Sequence, residues 1–455
     1  MLERLRERFF DIRPEEWPRA LGLALFFFLV IAVFWVLKPM KRGLLLDYFA
    51  NNPVVLFGWQ LSGAQAEEIA KVLNMVVAYG VVVGFTVLVR KLPRQRVILV
   101  FSLVFGALFL LFAARIHSPS EPLVWSLYVT GDIWTTVMVA TFWAFSNDIT
   151  TSEEAERMYG IVGLGGVVGG FVGASVVSTL VQDVGRTWLL GGLLVPLAVI
   201  VGLAYWIDAR ARERRGQQEE RDEPCCPEED EDCEDESKVA QEPGAGAAIE
   251  GAKLVLASKY LLGITAVIGL YELVSNIMNF QLGVIVEQQI TGGPAKDAFF
   301  GRIGQITGLV SIGVQLFGTT YILRNLGVGA GLLFLPAVAM LGSVGFLVVP
   351  SLALASFMRV GDNALNYSVN QSAKEALYTP TSQDAKYKAK AFIDMFVQRF
   401  GKVVAVGLNL ALSALTVIHV RWFSLASLLV IGSWILVVRY LGREFEARTG
   451  EGTDG

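Results

Sequence analysis

Runs of about 20 apolar residues, which recur from one end of this chain to the other, constrain the fold more than any motif does. Lipid offers the backbone no hydrogen-bond partner, so each run must satisfy its own N–H and C=O groups, as a helix does. About 12 such runs are legible. In the first half they cover Ala20 to Leu37, Ile69 to Val89, Val97 to Ala114, Pro122 to Phe145, Tyr159 to Val181 and Trp188 to Ile207. In the second half they cover Tyr260 to Val284, Phe299 to Leu323, Ala330 to Val349, Ser351 to Ser372, Ala391 to Ile418 and Trp422 to Leu441. A 54% hydrophobic share, 18% charged residues and a mean hydropathy of +0.53 exclude a soluble enzyme of 455 residues. The expectation is an all-α membrane protein with about 12 transmembrane helices in two six-helix halves. The first half is residues 1–208, an acidic disordered cytoplasmic linker is 209–252, the second half is 253–445, and a tail is 446–455.

The net charge of −4 conceals an asymmetry. Residues Glu219 to Glu236 contribute −11, so everything else carries +7. That surplus gathers at Leu2 to Arg8, Arg90 to Arg96, Arg210 to Arg215, Lys374 to Lys390 and Arg439 to Arg448, which puts both termini in the cytoplasm. The N-terminal segment lacks the features of a cleavable signal and of a transit peptide, so a bacterial inner membrane is expected. Cys225, Cys226 and Cys233 all fall in the acidic tract, where they form no disulfide framework.

Polar residues inside apolar spans are costly and mark protein interiors or water-filled paths. Lys38, Lys41 and Arg42 close the first span and either snorkel outward or line a cationic path. Asp132 interrupts the fourth span and is expected to pair with a lysine of another helix, as a fixed tie or as one that switches. Glu272, Ser275, Asn276 and Asn279 form a stripe on the seventh span. Arg359, Asn363, Asn366, Asn370 and Lys374 recur at three to four residues on the tenth, and Lys390, Asp394, Gln398 and Lys402 follow on the eleventh. Gly163, Gly166, Gly170 and Gly173 are read as a surface for close helix packing. No glycine-rich stretch ends in Gly-Lys-Ser or Gly-Lys-Thr, and His117 and His419 are the only histidines, so neither a phosphate loop nor a catalytic metal is implied.

The stretch Phe142-Trp143-Ala144-Phe145-Ser146-Asn147-Asp148-Ile149-Thr150-Thr151, with Glu153-Glu154-Ala155 and Arg157-Met158-Tyr159 after it, resembles the signature of the ATP/ADP translocases of plastids and obligate intracellular bacteria. Leu37-Lys38-Pro39-Met40-Lys41, Phe300-Gly301-Arg302 and Asn366-Tyr367-Ser368 leading to Lys374-Glu375 and Lys386 to Asp394 agree in order. The resemblance implies a major-facilitator-like fold and exchange of ATP and ADP across a lipid bilayer by alternating access at a midplane site between the halves, with no chemical step, cofactor or nucleic acid. By motif position it places the transport residues at Lys41, Asp132, Glu272 and Lys374. Phosphates would then lie against Lys41, Lys374 and Arg359, with Lys38 nearby, and Asn363, Asn366, Asn276 and Asn279 would bond sugar or base. The chain departs from the family after Glu272, where Ser275, Asn276 and Met278 stand in a neighbourhood usually carrying Trp-Lys and a further lysine. Transport of another organic anion or a lipid-like substrate, proton-coupled through Asp132 or Glu272, is the alternative, and a scaffold acting through the acidic tract is a third.

Overall fold

In the computed structural model, residues 13–56, 58–221, 245–381, 388–414 and 419–450 are described. The three cysteines, Lys386, the N-terminal basic cluster and most of the acidic tract lie outside them. In chain order the elements are helix α1 (Trp17–Asn51), a hairpin of β1 (Val54–Leu56) and β2 (Trp59–Leu61), then α2 (Gly63–Lys91), α3 (Arg94–Arg115), α4 (Glu121–Ile149), α5 (Ser152–Gly192) and α6 (Leu194–Arg221). After the acidic tract come α7 (Ala245–Ala257), α8 (Lys259–Gln289), α9 (Gly293–Gly313), α10 (Thr320–Asn325), α11 (Gly327–Val348) and α12 (Leu352–Leu365). The chain finishes with α13 (Gln371–Ala376), α14 (Lys390–Phe392), α15 (Gln398–Ala414) and α16 (Phe423–Thr449).

Among the described residues, nine helical stretches are long and apolar enough to cross a membrane. One of them, Arg157–Glu213, is 57 residues long and contains the fifth and sixth predicted spans. Gly185, at φ +83°, interrupts it in a conformation that costs a residue with a Cβ far more. The tenth and eleventh predicted spans are cut into shorter helices by π turns at Asn366–Asn370 and Ile393–Val397, and a third π turn, Val314–Thr319, follows α9. Helix α1 runs 35 residues, about 50 Å, so it extends beyond a hydrocarbon core of about 30 Å.

The chain forms two compact units. The first holds the first half up to Tyr48 and from Leu73, together with Gly292–Gln305. The second holds Phe49–Val72 and the remainder of the second half. Each unit therefore incorporates a short segment from the other half of the sequence.

The core of the first unit is aromatic. Phe26 and Phe27 of α1 meet Phe142 of α4 at ring separations of 5.1 and 4.7 Å, and Trp134 donates its indole N–H to the Val30 carbonyl at 3.0 Å. On its other side α1 meets α5 through glycine. A Cβ on Gly165, Gly169 or Gly173 would run into the carbonyl oxygens of Ala24, Phe28 and Ala32, so the two backbones approach at four-residue intervals. The predicted glycine surface coincides with this contact in part. Of that set, Gly173 lies in the contact row, Gly166 and Gly170 face Phe27 and Trp35, and Gly163 faces open space. Helix α5 starts with a capping box between Thr151 and Glu154, and Glu154 is also paired with Arg19. Beside it, Arg157 donates to Glu16 at 2.7 Å, and that bond holds the Glu16 carboxyl below its ordinary value.

In the second unit α8 is the central helix, packed against α16, α15 and α12. Tyr271 of α8 lies 6.0 Å from Trp434 of α16, and Gln281 donates to Ser424 at 2.9 Å. The hairpin also belongs to this unit, with Val54 opposite Leu61 and Leu56 opposite Trp59.

Candidate functional site

A cavity of about 450 Å3 opens within the second unit. Its wall is built from four helices and a π turn. Helix α8 contributes Glu272, Ser275, Asn276 and Asn279, the stripe expected from their spacing, because the other faces of that helix are occupied by packing. Helix α12 contributes Arg359 and Asn363, the following π turn and α13 contribute Asn366, Tyr367, Gln371 and Lys374, and α15 contributes Gln398 and Lys402.

The π turn explains where the tenth-span stripe departs from its predicted course. A π turn takes five residues rather than four to return to the same face. After Asn366 the cavity face therefore continues at Gln371, and Asn370 turns into the protein, 1% exposed, where its amide donates to Asn366 at 2.9 Å. Lys374 follows Gln371 by three residues and returns to the cavity.

Charges are fixed within this wall by few contacts. Asp362 is buried behind it, accepts the Ser275 hydroxyl at 2.6 Å and pairs with Arg359 at 3.2 Å, which anchors the guanidinium at the cavity edge. Glu272 accepts from the Asn276 amide at 3.5 Å and lies 4.0 Å from the Lys402 ammonium, the outer limit of an ion pair. The Lys374 ammonium is 5.7 Å from the Tyr271 ring centre. Three cations on three helices against one lining carboxylate suit a ligand with several negative charges, and the amides and Tyr367 add neutral donors and a ring face.

Seven of the ten residues singled out in the sequence, Glu272, Asn276, Asn279, Arg359, Asn363, Asn366 and Lys374, thus meet in one cavity. The other three, Lys38, Lys41 and Asp132, belong to the first unit. There Lys41 is buried, ion-paired with Asp132, and sits 4.2 Å over the Tyr128 ring; Gly131 leaves room for its stem. Lys38 lies 4.4 Å from the Trp35 ring centre and Arg42 4.3 Å from that of Phe300, so these cations lie against rings. Sequence reading missed Tyr271, Tyr367 and Gln371 as lining residues. Charge and amide spacing directed attention past the two tyrosines, although Tyr367 stands inside a stretch already singled out, and the π turn hid Gln371.

Residues 21–377 match the family model described as Major Facilitator Superfamily. Among curated relatives, ADP,ATP carrier protein 2 of Chlamydia trachomatis is 28% identical, over 71% of this chain and 65% of the relative. ADP,ATP carrier protein 2 of Chlamydia pneumoniae is 24% identical, over 98% of this chain and 92% of the relative. The chloroplastic ADP,ATP carrier protein 1 of Arabidopsis thaliana is 21% identical, over 98% and 76%. Solved structures of a nucleoside transporter and of an auto-inhibited POT family peptide transporter share the fold at 12% identity, with TM-scores of 0.60 and 0.58; they cover 94% and 95% of this chain, which in turn covers 99% and 98% of theirs.

Proposed function

The chain belongs to the major facilitator superfamily, and from that premise we propose that it is an integral membrane transporter exchanging ATP for ADP by alternating access. No bond is made or broken in the substrate, so the protein acts as a carrier and not as an enzyme. The observation that carries the reading is the second-unit cavity, where Arg359, Lys374 and Lys402 gather on three helices of a chain whose relatives are named ADP,ATP carriers.

Phosphates lie against Lys374 and Arg359, and Asn276, Asn279, Asn363 and Asn366 bond sugar or base. In the first unit Lys41 takes an anionic group of the substrate in place of Asp132, an exchange of one anionic partner for another. Lys38 adds positive charge on the same helix. The membrane is a bacterial inner membrane, with both termini cytoplasmic.

Proteoliposomes loaded with unlabelled ATP and presented with labelled ADP test the proposal. Uptake that requires internal nucleotide, and that is lost in Lys41→Ala and Lys374→Ala while both variants still insert, supports exchange. Uptake independent of internal nucleotide, or wild-type uptake in both variants, overturns it.

A further inference from the structure

Two rings line the second-unit cavity, and they are held differently. Tyr271 on α8 is 9% exposed, lies 6.0 Å from Trp434 and has the Lys374 ammonium 5.7 Å from its centre, so its surroundings already engage it. Tyr367 is 66% exposed, and among the described residues it stacks on no ring and has no cation over its face. The π turn produces this contrast. Ser368, Val369 and Asn370, which complete the turn, are at most 1% exposed, while Tyr367 stays on the cavity side with Asn363 and Gln371 four residues to either side of it. π turns within helices are often found where a side chain has a functional duty.

A bare ring face attracts a cation or a second planar ring. A cation is repelled here, because the lining carries Arg359, Lys374 and Lys402 against Glu272 alone. The face therefore suits a planar group that arrives attached to an anion. We propose that Tyr367 stacks on the base of the nucleotide and determines the specificity of the cavity for nucleotides over inorganic phosphate chains. The cations cannot make that distinction, since both ligands offer them phosphate oxygens. Nor can the amides of Asn363, Asn366 and Gln371 make it strongly, since each both donates and accepts and can bond a phosphate oxygen as well as a base edge. Stacking alone requires the base to be present, and it requires the ring of Tyr367 rather than its hydroxyl.

This assignment rests on the nucleotide reading of the cavity, and the experiment separates the two. ADP and pyrophosphate affinities are measured by calorimetry on the full-length protein in detergent, in wild type, Tyr367→Phe and Tyr367→Leu. Wild type and Tyr367→Phe are expected to prefer ADP. Tyr367→Leu is expected to lose about tenfold in ADP affinity, the worth of a stacked base, while its pyrophosphate affinity and its melting temperature without ligand stay at the wild-type level. An unchanged ADP affinity in Tyr367→Leu overturns the proposal, as does an equal loss of both ligands. A loss in Tyr367→Phe as large as in Tyr367→Leu also overturns it, because the hydroxyl and not the ring is then the contact. Pyrophosphate binding without ADP binding in wild type removes the nucleotide reading and the stacking with it, whereas ADP binding that ignores the ring removes the stacking alone. Should Tyr367→Leu fail to fold, Tyr367→Gln, which lacks a ring face but suits a wetted wall, is expected to show the same selective loss, and wild-type ADP affinity in it overturns the proposal.

Discussion

The two units hold their lysines in opposite ways. In the first, Lys41 is enclosed between α1 and α4, bound to Asp132 and covered by the Tyr128 ring. In the second, Lys374 and Lys402 border an open cavity, and the acid shared with them, Glu272, is no closer than 4.0 Å to Lys402. A neutralised buried pair contributes little attraction to an incoming anion until the pair separates, whereas loosely held cations attract it at once. The backbone differs in the same sense. In the first unit α1 and α5 are locked by backbone contact and the helix of α5 breaks only at Gly185, while the described π turns all lie on segments of the second unit, two of them in the helices that carry Lys374 and Lys402. Residues of similar chemistry therefore take on different duties according to how tightly the surrounding helices close on them.

The sharpest test of this contrast is Lys41→Ala. It is expected to lose exchange by at least about 100-fold and also to cost about 3 kcal/mol of stability, because Asp132 is left without its cation. Removing both charges, as Lys41→Met with Asp132→Leu, should restore the melting temperature without restoring exchange. A single variant that melts like wild type breaks the claim that the first-unit lysine is structurally committed. Lys374→Ala should lose exchange to a similar degree, yet cost less stability than Lys41→Ala, about 1 kcal/mol, since Lys374 is buried but joins no ion pair among the described residues. Next comes the backbone. Gly169→Ala, whose new Cβ would meet the Phe28 carbonyl, should cost about 2 kcal/mol in thermal unfolding. In α15 Gly407 has open space around it, and Gly407→Ala should be neutral or stabilising by about 0.5 kcal/mol. Equal losses at both positions would remove the packing distinction.

The smallest effect concerns pH. The Arg157 hydrogen bond lowers the Glu16 carboxyl in the folded protein, so its contribution is present above the unfolded value and is lost as pH falls through the lower folded one. Glu16→Gln should flatten only the acid limb of the stability profile, by under about 1 kcal/mol, as followed by melting temperature.

The helical class was legible because apolar runs of membrane length leave the backbone one solution. The α8 stripe was legible for the same kind of reason, since an uninterrupted helix keeps its period from Glu272 to Asn279. Periodicity stopped working where the helix itself changed pitch. Asn370 and Gln371 exchange places at the π turn, and nothing in the residue types around Tyr367 signals the extra residue. Partnership was also beyond reach. Asp132 required a lysine from another helix, and only the fold selects Lys41.

Thermal stabilisation of the purified protein by nucleotides tests the central claim most directly, since a ligand that binds the folded state alone adds about 2.7 kcal/mol at 100 times its dissociation constant. ATP and ADP should raise the melting temperature of wild type, and the rise should vanish in Lys374→Ala while that variant's own melting temperature stays near wild type. No response to either nucleotide, or an equal response in Lys374→Ala, would contradict the assignment of the second-unit cavity as the nucleotide site.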